Sequence, residues 1–214
     1  MSADPGPVML GYVHAGTVRA EFMRSVLDVA GGPDRDPRIG EVADETAGAL
    51  IGKARNMLAA RFLRSPAEWL WMVDTDVVFG LGALGGLLAA ADPDGRPVVS
   101  GLVYILQPNG GRLPSMHEVD GDGPTIRFTP VLRWEPGAVI EVGACGAACL
   151  LVHRSVFGKL GSGWFDPIPV PGRGLIGDDW SFCLRLGEAG IPVHVATGVQ
   201  AGHVKSLIVG SVSP

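Results

Sequence analysis

Five consecutive apolar residues, Trp69-Leu70-Trp71-Met72-Val73, run directly into Asp74-Thr75-Asp76. An apolar run of that length without alternation is the pattern of a strand buried on both faces, which calls for a mostly parallel sheet with helices above and below. Sheets of that kind bind ligands beyond the carboxyl ends of their strands, and this strand ends in two carboxylates one residue apart. Their repulsion and partial desolvation are relieved either by a divalent cation or by the N–H groups of the following turn. Hard oxygen ligands suit Mg²⁺ or Mn²⁺, which would also bridge substrate phosphates. The D-x-D spacing alone does not decide between cation and cap.

The rest of the chain alternates as such a sheet requires. Val8–Val13 reads as a strand, followed by a helix from about Thr17, its N-cap, to Ala30, closed by Gly31-Gly32. Arg38–Val42 reads as a short strand and Thr46–Arg64 as a long helix stopped by Ser65-Pro66. Leu81–Ala91 is helix-like and Pro97–Tyr104 a strand. Between 107 and 136 the pattern weakens, and Asn109-Gly110 and Asp120-Gly121 signal hairpins or a mobile flap. Val139–Val152 is a strand region broken by Gly143 and Gly146, Asp179–Ala189 a helix, and Val193–Ala196 a last strand. There is neither a repeat nor a linker, so a single α/β domain over 1–214 is expected.

Composition removes several classes. With 47% hydrophobic and 18% charged residues the chain is not disordered, and its glycines sit between apolar runs as turns. The net charge is −5 with no Lys/Arg-rich run, so a nucleic-acid partner has no electrostatic footprint. Cys145, Cys149 and Cys183 are too few and scattered for a disulfide framework or a four-ligand zinc site, and read as buried thiols. MSADPGPVML lacks the basic region of a signal peptide. The uncharged stretch Val77–Ala91 has 15 residues, short of the ~18–20 that span a bilayer. A cytoplasmic protein without a membrane span is the expectation.

Further residues carry chemical interest. Gly80-Leu81-Gly82-Ala83-Leu84-Gly85 matches the dinucleotide fingerprint, but no acidic residue follows near Tyr104 to meet a ribose, so these glycines read as close packing of helix on sheet. Projected at about 100° per residue, Arg55 falls at the edge of the apolar stripe of Ile51, Ala54, Leu58 and Phe62. A guanidinium there needs an anion, either a structural carboxylate or a nucleotide phosphate or base edge. Asn56 faces elsewhere and is placed to cap a neighbouring loop. Gly177-Asp178-Asp179-Trp180 opens a helix, where the acids serve as caps or one serves as a general base. PVPGRGLIG before it is a flexible loop whose Arg173 is placed to contact phosphate. His14, in a His-Ala-Gly-Thr loop, could reach a nucleotide, and His203 after the last strand could complete a metal sphere begun by Asp76, although spacing alone favours a structural role for it.

Taken in order, ARNMLAARFL (54–63), DTD (74–76), GACGAACLLVHRSVF (143–157), GDDWSFCLRLGEAGIPV (177–193) and GH (202–203) make the chain resemble a GT-A-fold, family-2-type glycosyltransferase. The resemblance implies a Rossmann-like, mostly parallel mixed sheet flanked by helices, with a nucleotide-sugar half over about 1–105 and an acceptor half over about 106–205. It implies that Asp74, Thr75 and Asp76 flank the donor diphosphate, with Asp76, His203 and Asp74 as ligands of Mn²⁺ or Mg²⁺. Arg55, His14, Gly16 and Thr17 would contact the nucleotide, and Asp179, or its neighbour Asp178, would act as base. The activity implied is hexosyl transfer from a UDP- or GDP-linked sugar to an acceptor hydroxyl, with inversion. A sugar-phosphate nucleotidyltransferase and a non-catalytic nucleotide-sugar-binding module are the competing readings. The loop His14–Arg19, with one basic residue, is a poor grip for the triphosphate that a nucleotidyltransferase needs. Trp134, Trp164 and Trp180 are candidates for stacking on an acceptor sugar or for the core.

Overall fold

The structure, a computed structural model, describes residues 6–205. Met1–Pro5, within the segment read for a leader, and the last nine residues of the expected domain lie outside the described residues. The first half runs β1 (Val8–His14), α1 (Ala20–Ala30), β2 (Ile39–Thr46), α2 (Ile51–Arg64), β3 (Trp69–Asp74), β4 (Val77–Val78), α3 (Ala83–Ala90) and β5 (Val98–Leu106). The second half runs β6 (Arg112–Pro114), β7 (Met116–Asp120), β8 (Arg127–Pro130), β9 (Val139–Val142), β10 (Ala144–Cys145) and β11 (Cys149–His153). It continues with α4 (Arg154–Leu160), β12 (Ile168–Val170), β13 (Gly174–Ile176), α5 (Asp178–Glu188) and β14 (Val193–His203).

The main sheet has nine strands in the order β2-β1-β3-β11-β5-β14-β4, with β6 on β5 and β9 on β14. β2, β1 and β3 are parallel, β11 is antiparallel between β3 and β5, and β5 and β14 are parallel again. Most of the long strands therefore share one direction, and the mixed α/β single domain expected from the sequence is what forms. β3 shows why the apolar run could not alternate. Trp69, Trp71 and Val73 belong to the core layer that contains Phe22 of α1 and Leu84 of α3. Leu70 and Met72 belong to the opposite layer, with Leu58 and Phe62 of α2, Phe157 of α4 and Phe182 of α5. The three cysteines are free and buried. Among the described residues no helix is long and apolar enough to cross a membrane.

Several elements differ from the sequence expectation, each for a long-range reason. Thr17 does not cap α1. The helix starts at Ala20 without a side-chain cap, and the Arg19 N–H donates to the Thr75 carbonyl at 3.3 Å, pinning this loop beside the end of β3. Thr46 is strand rather than helix because residues 43–46 continue the ladder of β2 along β1, up to Thr46 opposite His14. β14 extends to His203, past a break in register between Ala196 and Gln200. Close packing of α3 falls on Gly86, where a Cβ would lie 2.5 Å from Val199 Cγ2, whereas Gly80 and Gly82 face open space. The weak region 107–136 resolves into hairpins: β6 returns along β5 across Asn109-Gly110, and β8 along β7 after Asp120-Gly121. PVPGRGLIG is not featureless either, since β12 and β13 form a hairpin within it.

Gly52 sets how closely α2 lies against the chain before β12. A Cβ there would meet the Phe165 carbonyl oxygen at 2.2 Å and Asp178 Cβ at 3.0 Å. Because the obstacle is backbone, Gly52→Ala is expected to destabilise by about 1–3 kcal/mol. Urea unfolding checks this, with Gly158→Ala, whose Cβ meets nothing within 4 Å, as the tolerated control.

Candidate functional site

The carboxyl ends of β1, β2 and β3 converge on a cleft of about 380 Å³ lined by Val13, His14, Ala47, Arg55, Asp74, Thr75 and Asp76, among others. The placement follows from the ladder: Val13 stands opposite Asp74 in β3, and His14 opposite Thr46 in β2. Gly16, at φ +98°, lets the loop turn back so that its N–H donates to His14 Nδ1 at 2.9 Å. With Nδ1 accepting, His14 Nε2 carries the proton and donates to Asp44 Oδ2 at 3.0 Å. Thr17 is exposed beyond this loop.

Arg55 occupies the floor. Its side chain is 8% exposed, and its two terminal nitrogens diverge to Asp74 Oδ1 at 2.7 Å and to Asp178 Oδ2. Of the partners expected for this guanidinium, the structure supplies the carboxylates. Burial alone would weaken its hold on the proton, but Asp74, Asp178 and Asp179 together push its pKa above the ordinary value. Asn56, one residue on, caps the segment before β12: its Oδ1 accepts from Phe165 N at 2.9 Å and its Nδ2 donates to Asp166 at 2.7 Å.

Asp178 and Asp179 both begin α5, and their environments separate them. Asp178 is held by Arg55. Among the described residues Asp179 accepts a single hydrogen bond, from the Trp180 N–H to Oδ1 at 2.9 Å. Its Oδ2 faces Gly146, where an added Cβ would come within 3.6 Å of it. Burial raises the Asp179 pKa above the usual carboxylate value; Arg55 offsets part of this, and the nearby Asp178 and Asp74 add to it.

Asp76 and His203 are brought together by backbone pairing. β14 pairs antiparallel with β4, His203 opposite Val77, and the Val204 N–H donates to the Asp76 carbonyl at 2.7 Å. His203 Nδ1 donates to the Tyr104 carbonyl at 2.8 Å, which leaves the lone pair on Nε2, 3.8 Å from Asp76 Oδ1. Fixing one ring nitrogen on a backbone carbonyl is the usual way a ligand imidazole is oriented. Among the described residues no group of three His, Cys, Asp or Glu side chains could hold an ion alone. As a carboxylate and an oriented imidazole, Asp76 and His203 would fit a cation that took its remaining ligands from a bound ligand and water.

Arg173 is not part of this cleft. Its Nη1 donates to the carbonyls of Ile126 at 2.6 Å and Pro124 at 3.1 Å, and it lines a separate cavity of about 210 Å³ with Phe128 and Trp180. Trp180 is stacked on Phe128 at 4.1 Å, and Trp164 is core, its Nε1 donating to the Phe157 carbonyl. Three participants escaped the sequence reading: Asp44 on His14, the Tyr104 carbonyl on His203, and Lys205, whose Nζ lies 2.5 Å from Asp76 Oδ2. For Lys205 a signal existed, since it stands two residues after His203.

No protein-family model and no curated protein matches this sequence. Solved structures do share its fold. A197 from STIV superposes with a TM-score of 0.62 at 18% identity, covering 94% of this chain and 86% of that one. GalNAc-T7, solved with UDP, GalNAc and Mn²⁺, superposes with a TM-score of 0.67 at 14% identity, covering 96% of this chain but only 45% of that one. The chain therefore has a GT-A-like fold.

The raised pKa of Asp179 carries a stability signature. The folded value lies above the unfolded one of about 3.9, so the folded state binds this proton more tightly. The resulting stabilisation is complete below about pH 4 and is lost as pH rises through the folded value. Asp179→Asn keeps the acceptor for Trp180 N–H without the ionisation, so it is expected to melt above wild type at pH 7, with the gap closing toward pH 4. Melting curves across that range check it, and a gap of constant size would contradict the assignment.

Proposed function

We propose that the protein transfers a hexosyl group from a nucleoside-diphosphate sugar, UDP- or GDP-linked, to an acceptor hydroxyl with inversion. The observation that carries this reading is the pairing of Asp76 with an oriented His203 at the mouth of a cleft formed by three parallel strand ends. The likeness in fold to GalNAc-T7, which was solved with UDP, GalNAc and Mn²⁺, supports it. In this reading the nucleoside lies in the cleft beside His14, Gly16 and Thr17, and the diphosphate lies over Thr75 and the two flanking aspartates. Asp76 and His203, with Asp74 beside them, hold Mn²⁺ or Mg²⁺, which when bound would offset the negative charge on a leaving diphosphate.

Arg55 acts on the donor through Asp74, which it holds in place, and on the acceptor side through Asp178. Asp179 is the base. The acceptor oxygen attacks the anomeric carbon from the face opposite the diphosphate, the bond to the diphosphate oxygen breaks, and the hydroxyl proton passes to the Asp179 carboxylate. A carboxylate whose proton affinity is raised by burial is better matched to that task than an ordinary surface aspartate. Of the pair at the start of α5, Asp179 is the base because Asp178 is committed to Arg55.

Two variants test this. Asp76→Ala should abolish metal-dependent transfer of labelled sugar while leaving the melting temperature near wild type. Wild-type turnover in that variant would refute the metal role. Asp179→Asn should retain nucleotide binding and lose about 10²–10⁴-fold in transfer. A thermal-shift panel of UDP, GDP and their sugars, with and without Mn²⁺, identifies the donor, since a ligand at 100 times its Kd stabilises by about 2.7 kcal/mol.

A further inference from the structure

A cavity of about 510 Å³, larger than the cleft and sharing no lining residue with it, opens between α5 and two hairpins. Cys183, Leu184 and Gly187 of α5 form one wall, and Ile168, Val170 and Ile176 of the β12–β13 hairpin form a second. The third is the end of β7 and the turn into β8, with Val119 and Ile126. A concave space of this volume with mostly hydrocarbon walls has the size and character that take a small organic ligand. Ile126, Val170 and Ile176 also line the smaller cavity of Phe128 and Trp180, so an aromatic surface continues the aliphatic one. Arg173 ties the second wall to the third through the Pro124 and Ile126 carbonyls and stays out of the lining.

Two further features bear on what fits there. Gly187 lies in the last turn of α5, where glycine weakens a helix relative to any ordinary residue with a side chain. No neighbour demands it, because an added Cβ would meet nothing within 4 Å. What the glycine does is leave its part of the cavity wall bare. The charged residues of the lining are Asp122 and Glu188, both exposed carboxylates, and neither forms an ion pair among the described residues. An anionic ligand would meet repulsion at this rim and a cationic one would find partners.

From these walls and this charge we infer that the cavity is a ligand site separate from the cleft, and that it takes an organic amine: an apolar body with a cationic end. The body lies against Leu184, Ile126, Ile168 and Val170, and the ammonium stays at the rim with Asp122 and Glu188. Burial of apolar surface supplies the affinity. The exposed carboxylates supply selectivity, since ion pairs in water contribute little on their own. The inference does not rest on the glycosyl-transfer reading and uses none of its residues.

The test is fluorescence titration of the intact protein with N-phenyl-1-naphthylamine, followed by displacement with 1-naphthylmethylamine, 1-naphthalenemethanol and 1-naphthoate at pH 7. Wild type should bind the probe, and the amine should displace it about two- to fivefold more tightly than the alcohol, with the carboxylate weakest. Gly187→Leu should weaken the probe by about tenfold or more while melting at or above wild type, because it fills the space and removes a helical glycine. Leu184→Trp, one turn earlier on α5, should weaken it in the same way. Glu188→Gln should shrink the preference for amine over alcohol and leave the alcohol unchanged. Leu50→Ser, at an exposed apolar position 63% open to solvent and outside this cavity, should change nothing. No binding by wild type, full binding by both filled variants, or displacement by the carboxylate as tight as by the amine would overturn the site. Every titration is run without nucleotide or metal, so these outcomes leave the glycosyl-transfer reading untouched, and loss of transfer in Asp76→Ala leaves this one untouched.

Discussion

A guanidinium buried among three carboxylates holds this site together. Arg55 has almost no contact with water, so its charge has to be met inside the protein, and the anions that meet it come from different halves of the chain. Asp74 ends β3 and Asp178 begins α5, 104 residues later, and the two are fixed in mutual position by the one side chain between them. Removing Arg55, or either of the two carboxylates bonded to it, leaves an unpaired buried charge, a loss of about 3–5 kcal/mol in other proteins. The same arrangement sets the character of Asp179. Arg55 spends its two terminal nitrogens on the neighbours, so Asp179 receives its field without its hydrogen bonds and stays harder to ionise than a surface carboxylate. One residue on α2 thereby differentiates two adjacent aspartates that look equivalent in sequence.

The other half of the site depends on backbone pairing. β14 follows β5 in parallel, breaks register after Ala196, resumes at Gln200 and ends antiparallel to the two residues of β4. That short ladder and the bond from Val204 to the Asp76 carbonyl fix the main chain that carries Asp76 and His203. The Asp76, His203 and Lys205 side chains remain partly exposed, each able to exchange one partner for another. Rigid main chain with exchangeable side chains is the combination that pre-organises a site and still allows a ligand to enter.

How much of this was legible depended on the range of the interaction involved. The β3 run and its acidic end were readable because burial on both faces writes itself into every residue of the strand. Arg55 was readable because a charge at the edge of an apolar helical stripe demands an anion, although which anion was not. Asn56 could likewise be placed off that stripe, facing a loop. What failed was local reasoning about ends. Thr17 is a good capping residue, yet the loop spends its hydrogen bonds on Thr75 instead of on the helix. Thr46 could have begun a helix, yet pairing with β1 is worth more. The last seven residues of β14 carry glycines and polar residues that hide a strand whose ladder is supplied by β5 and β4. The fingerprint glycines drew attention that belonged to Gly86, because only the position of Val199 across the sheet shows which glycine needs its hydrogen.

The balance of charge decides what the cleft can accept. Four aspartates gather at its floor and rim, and of the cations beside them Arg55 is neutralised by its own partners, while Lys205 is parked on Asp76. A ligand bearing a diphosphate would enter a field of its own sign unless positive charge arrived with it or were released by it. A divalent ion would do the first, and Lys205, which sits on Asp76 Oδ2, stands where the second would occur. The acidic strand end and the cavity behind His203, whose lining carries Arg112 and Lys205 and no carboxylate, thus present opposite charge on the two sides of the Asp76–His203 pair.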